Sequence, residues 1–236
     1  SKRKIVFRVK KLIAFAKDKR VLIVLVLLLV AILLLHEGKS INGDEFYNNF
    51  VVGSLFPEMI GVVAELIFVY LIFSYIEQNR RQKEVIENER RARSYLRFFV
   101  VDLLRHKPLL DKCCLEEQEL DFLRDNPEKF KFYDFQYDLN NRVINKLSEE
   151  LQTLENEALC NHIRKHVEIE LNALQSMLPV VSHISKEHFK TWQRILYFMS
   201  LIHRGDNTVS NTKKVLAKIR SFDLNTKKQF NVRQRT

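Results

Sequence analysis

Two long apolar runs near the start of the chain give way to charged text with helical periodicity. Val21 to Leu35 reads VLIVLVLLLVAILLL, with no polar residue. Met59 to Ile76 reads MIGVVAELIFVYLIFSYI, interrupted only by Glu65 and Ser74. As a helix the first run spans about 22 Å, short of the ~30 Å hydrocarbon core. Lys19 and Arg20 extend it by snorkelling. A cleaved signal peptide is the rival reading, but HEGKS after Leu35 offers no small-x-small cleavage site. The pattern predicts a retained anchor and a second span, a transmembrane hairpin over 21–76.

From Glu77 the chain turns abruptly charged, and no Gly or Pro occurs between Gly61 and Pro108. Pro57 suits a first helical turn and Pro108 an end. One helix is therefore predicted to leave the bilayer and run on, on the order of 75 Å in all. Val85, Ala92, Leu96, Phe99 and Leu103 form its apolar stripe. Residues 77–107 read as a stalk whose apolar end must dock on the helices that follow or on a second copy.

Further on, Lys112–Arg124 reads as a short helix with Asp111 as N-cap. Phe130, Phe132, Phe135 and Tyr137 mark a short strand or extended loop, suited to core packing or, less so, to stacking bases. A long helix is predicted from Asp138 to Leu178, bent near residue 158 where its seam shifts. Next comes a helix over 184–205, capped by Ser185 and stopped by Gly205. A last short helix covers 211–222, before a mobile basic tail over 223–236. The fold class is thus an all-α membrane protein. Its two-helix hairpin has a second span continuing into a helical domain over 108–222.

Charge sets the topology. The formal net charge is +10. Lys and Arg crowd residues 1–20, as an amphipathic lipid-bound helix or a disordered flank, and again Arg80, Arg81, Lys83, Arg90, Arg91 and Arg93. The loop over 36–56 holds one Lys and three acids. The positive-inside rule puts both termini in the cytosol and the loop outside. Lys19, Arg20, Arg80, Arg81 and Lys83 are placed to meet lipid headgroups. Ser54, Glu58, Gly61 and Glu65 share one helix face, and a carboxylate inside an apolar run needs a partner helix, a cation or water. That face reads as an assembly surface or polar path. A protonated Glu65 satisfied within its own hairpin is the alternative.

Chemistry is harder to find. There is no Gly-rich phosphate loop, GxSxG or HExxH. His162 and His166, one turn apart beside Cys160, are weak metal candidates without evident further ligands, so no metal and no cofactor are expected. Cys113, Cys114 and Cys160 form no disulfide framework. Lys186, Lys190, Arg194, Arg204, Lys213 and Lys214, with Lys218 and Arg220, offer a basic face for nucleic acid or a protein partner.

A basic N-terminus, LIVLVLLLVAILLL, a short outer loop, MIGVVAELIFVYLIFSYI, a charged stalk and a helical domain together resemble the two-transmembrane effectors of bacterial anti-phage systems, retron and abortive-infection types among them. The resemblance is one of layout and transfers no residue role. It implies an inner-membrane toxin guarded by a cytosolic partner, in the retron case a reverse transcriptase with its RNA–DNA product. The expectation is a non-enzymatic effector that disrupts the membrane on release, acting as a homo- or hetero-oligomer. The alternative is a membrane-anchored signalling or scaffold protein that recruits a cytosolic partner.

Overall fold

The computed structural model describes residues 56–115 and 118–230. The first anchor, the outer loop, Ser54, Lys19, Arg20 and the last six residues lie outside them. Among the described residues every regular element is helical: α1 Phe56–Arg105, α2 Lys107–Leu115, α3 Tyr137–Thr153, α4 Glu157–Ser176, α5 Leu178–Ser182, α6 Lys186–His203 and α7 Thr208–Phe230. Short 3-10 turns at Gln118–Leu123, Pro127–Lys129 and Asp134–Gln136 link α2 to α3. The chain divides into two compact units between Glu77 and Gln78, and α1 runs through both.

In the first unit α1 exposes its apolar side chains. Leu66, Phe68, Phe73 and Tyr75 are each more than half exposed. The most apolar window has a mean hydropathy of 1.5 and none of it is buried. A water-facing helix of this composition would leave apolar area uncovered at about 25 cal/mol per Å². The helix is long and apolar enough to cross a membrane.

In the second unit the same helix becomes core. Ala92, Leu96, Phe99, Val100, Leu103 and Leu104 are buried, so the predicted stripe docks on the helices that follow. Phe99 packs 5.8 Å from the His166 ring of α4. The solvated stalk is accordingly shorter than 77–107, since burial begins at Glu89. Trp192 of α6, fully buried, donates from its indole nitrogen to the Leu174 carbonyl at 3.0 Å and ties α6 to the end of α4.

Three boundaries differ from the sequence reading, and the choice left open at residues 130–136 falls to the loop. The long helix ends at Arg105, close to the expected break at Lys107–Pro108, but the next helix starts at Lys107 instead of Lys112, because Pro108, without an N–H, is tolerated in its first turn. The chain turns at His106, whose carbonyl accepts from the amides of Leu109 and Leu110. Asp111 therefore lies inside α2 and caps nothing. The expected bend near residue 158 is a break: Asn156 Oδ1 accepts from the Leu159 amide at 2.8 Å and starts α4 afresh. Residues 130–136 form no strand; Phe130 and Phe132 are buried, whereas Tyr133 and Phe135 stack on the surface at 5.0 Å. Finally, α7 continues to Phe230, with Phe222, Asp223 and Thr226 buried, so residues 223–230 are not a tail. By contrast, Ser185 caps α6 by accepting from the His188 amide, and Gly205 stops it at φ +87, a conformation that disfavours any side chain.

Candidate functional site

Glu58, Gly61 and Glu65 all lie on α1 and all are exposed. A β-carbon added at Gly61 would meet no atom within 4 Å, so nothing described fills the notch there. Arg80, Arg81 and Lys83 are exposed in the next turns, as a headgroup contact requires. Arg93, counted by sequence among these basic residues, is instead buried.

Arg93 is the centre of a polar network inside the second unit. The side chains of Arg93, Glu89 and Asp223 are 6%, 2% and 1% exposed. Arg93 Nε donates to Glu89 Oε1 at 2.8 Å, and Nη1 donates to Asp223 Oδ1 at 2.7 Å and to the Phe132 carbonyl at 3.2 Å. Nη2 lies 2.7 Å from the same Glu89 oxygen but out of line for a hydrogen bond. The guanidinium also sits 4.7 Å from the centre of the Phe132 ring. Phe132 adopts φ +54, strained for a side chain of this size, and thereby turns both its carbonyl and its ring onto Arg93. Asn140 of α3 donates to Asp223 Oδ2 at 3.0 Å.

The network continues to α6. Thr226 Oγ1 donates to Glu89 Oε1 at 2.7 Å and so accepts from His188 Nε2, 3.1 Å away. His188 therefore carries its proton on Nε2, and its Nδ1 accepts from Ser185 Oγ at 2.7 Å. Burial and the nearby Arg93 charge push the His188 imidazole down to about 4. Burial pushes the Asp223 carboxyl up, against the pull of Arg93 and Asn140. Burial pulls the Arg93 guanidinium down, but the charges of Glu89 and Asp223 outweigh it and hold the group above its ordinary value. One cation, two carboxylates and a neutral imidazole are linked along α1, α6 and α7, with Arg93 Nη2 and Asn140 Oδ1 buried without a hydrogen-bond partner, and the cluster clasps the three helices together.

His162 and His166 meet a partner that sequence reasoning missed. Asp102 Oδ2 of α1 lies 3.0 Å from His162 Nε2 and 3.3 Å from His166 Nδ1. The His106 ring lies beside that of His162, tilted by 45° with ring centres 5.5 Å apart. The signal was present, since Asp102 falls three places after Phe99, beside the apolar stripe. Yet His162 Nε2 is also 3.1 Å from the Asp102 carbonyl and is aligned with it, so a proton occupies the place where a metal needs a lone pair. Among the described residues no group of three or more His, Cys, Asp or Glu side chains is placed to hold a metal ion. Burial lowers the His166 imidazole despite Asp102 and Glu170, and burial together with His162 lowers that of His106. The His106 and His166 rings pack where α1 and the turn after it meet α4.

The basic residues of the predicted partner face fall in separate places. Lys190 and Arg194 line an open groove of about 730 Å³ with Thr191, Gln193, Tyr197 and Lys218. Lys213 and Arg220 line a different one with Glu149, and their charges are engaged there: Lys213 Nζ donates to Gln152 Oε1 at 2.8 Å and Arg220 to Asn145 Oδ1 at 2.6 Å. Lys214 lies over the Phe198 ring and donates to Asn211. Lys186 and Arg204 are exposed at opposite ends of α6. Tyr197 escaped the sequence reading, although it follows Lys190 and Arg194 at spacings of four and three on one helical face.

No family model matches the chain, and no curated protein or solved structure matches it either.

Proposed function

We propose that the protein is a non-enzymatic membrane effector whose helical domain receives a partner and whose bilayer segment acts by assembly. The observation that supports it is α1. One helix carries an exposed apolar stretch with a carboxylate in its midst, and then the buried stripe on which the helical domain is built. Glu65 has no hydrogen-bond or ion-pair partner among the described residues, and Gly61 leaves room beside it for close helix approach. An unpaired carboxylate in hydrocarbon is costly, and a second helix, a cation or water relieves the cost. In this reading the protein sits in a bacterial inner membrane with the helical domain in the cytosol, and assembly compromises the bilayer. Its place in anti-phage defence rests on the layout resemblance.

The test is dye release from vesicles carrying the full chain. Glu65→Leu is expected to reduce release several-fold relative to the parent. Equal release from both proteins would remove Glu65 from the mechanism, and no release from the parent would sink the effector reading. A second reading, a membrane-anchored scaffold, is favoured by the open basic groove on the domain, and it predicts tethering of a partner without any release.

A further inference from the structure

We infer that the groove between α6 and α7 is a binding surface for single-stranded nucleic acid. This concerns the helical domain and stands whether or not the bilayer segment ever permeabilises a membrane. Lys190, Arg194 and Tyr197 occupy successive turns of α6, and Lys218 faces them from α7. Among the described residues no carboxylate lines the groove. Among the described residues Arg194 and Lys218 have no ion-pair or hydrogen-bond partner. Lys190 meets only Glu187, at 3.8 Å and with both side chains well exposed, which leaves its charge available. Three cations with no acid among them raise the local potential and select an anion.

Tyr197 narrows the class of anion. It is 55% exposed, and its ring is held against Phe198 with centres 5.4 Å apart. A braced, half-exposed aromatic ring beside free cations matches the stacking platforms of single-strand binders, where each base offers a π-face and each phosphate a charge. The exposed amide of Gln193 adds a donor and an acceptor suited to a base edge. An acidic peptide or an anionic headgroup would use the cations but leave the ring without a role. The open form of the groove suits a strand passing across it. The neighbouring groove of Lys213 and Arg220 serves as an internal comparison: its cations are engaged by Gln152 and Asn145, and Glu149 opposes an anion.

The experiment uses the full chain in phosphatidylcholine nanodiscs, with a fluorescein-labelled thymidine oligonucleotide followed by anisotropy across a salt series. Binding is expected to weaken with salt. The double variant Arg194→Ala/Lys218→Ala should lose at least tenfold in affinity and flatten the salt slope by about 0.7 per cation removed. Tyr197→Ala should lose several-fold with the slope unchanged, because stacking releases no counterion. Lys213→Ala should bind as the parent does. All of these side chains are at least partly exposed, so circular dichroism should show unchanged helix content. The inference is overturned if the oligonucleotide does not bind, or if it binds the double variant as well as the parent. It is also overturned if Tyr197→Ala has no effect while polyglutamate competes equally, which would mark an acidic-protein surface. Binding to phosphatidylglycerol vesicles through Arg194 with no oligonucleotide binding would assign the groove to lipid.

Discussion

Arg93→Met is expected to destabilise the helical domain by about 3–5 kcal/mol, because it leaves two carboxylates buried without their cation. Methionine keeps much of the volume, so the loss reports charge and not a cavity. Glu89 would retain Thr226 as a donor and Asp223 would retain Asn140, but neither hydroxyl nor amide replaces a guanidinium bridging both. Arg93→Lys should recover little. A single ammonium cannot present separate edges to Glu89 and Asp223 at 2.7–2.8 Å while also meeting the Phe132 carbonyl. Asp223→Asn should cost less, about 1–2 kcal/mol, since Arg93 keeps Glu89 and the cluster loses its excess negative charge. The measurement is denaturant unfolding of the full chain in detergent, read from the fluorescence of Trp192, the chain's one tryptophan and fully buried. Equal losses from Arg93→Met and Asp223→Asn would show that the guanidinium does not organise the clasp.

Acid should loosen the same domain well above the carboxylate range. His188 titrates at about 4 in the fold against 6.5 for the free side chain. The unfolded chain therefore takes up the proton first. The stability that neutral His188 contributes is complete above about pH 6.5 and is lost as pH falls toward 4, by about 3 kcal/mol at 1.36 kcal/mol per unit. His188 is met by Ser185 of its own helix turn, by Thr226 and the Phe222 ring of α7, and by the charge of Arg93 on α1, with Glu89 behind Thr226. His106 and His166 are lowered as well, so they add to the loss in the same direction. Asp223 works the other way. Its raised carboxyl takes a proton in the fold before it does in the open chain, which offsets part of the loss at the acid end. His188→Gln should remove the largest share of the slope between pH 6.5 and 4.5 and leave a residue from the α1–α4 histidines. An identical slope in parent and variant would place the acid sensitivity elsewhere.

What could be read from residues alone follows the range of the forces involved. The apolar run of α1, its buried stripe from Ala92 to Leu103, the Ser185 cap and the Gly205 stop are all local. Each depends on neighbours within a turn or two, so hydropathy, helical spacing and a single backbone conformation reveal them. The all-helical class follows for the same reason. The break at Asn156, the role of Pro108 and the full length of α7 were not legible. Local propensity permits either outcome there, and packing decides: residues 223–230 stay helical because Asp223 and Thr226 are drawn into the clasp with α1.

The same division separates charges that look alike in one dimension. Arg93 and Arg91 are two residues apart, yet the first is sealed between Glu89 and Asp223 and the second pairs with Glu87 at the surface. Lys213 and Lys218 lie within two turns of one helix, yet one charge is engaged and the other has no partner among the described residues. A sequence records that a cation is present. Whether it is buried, paired or open to a ligand depends on residues as much as 130 positions away brought within 3 Å, and only the folded packing sets those distances.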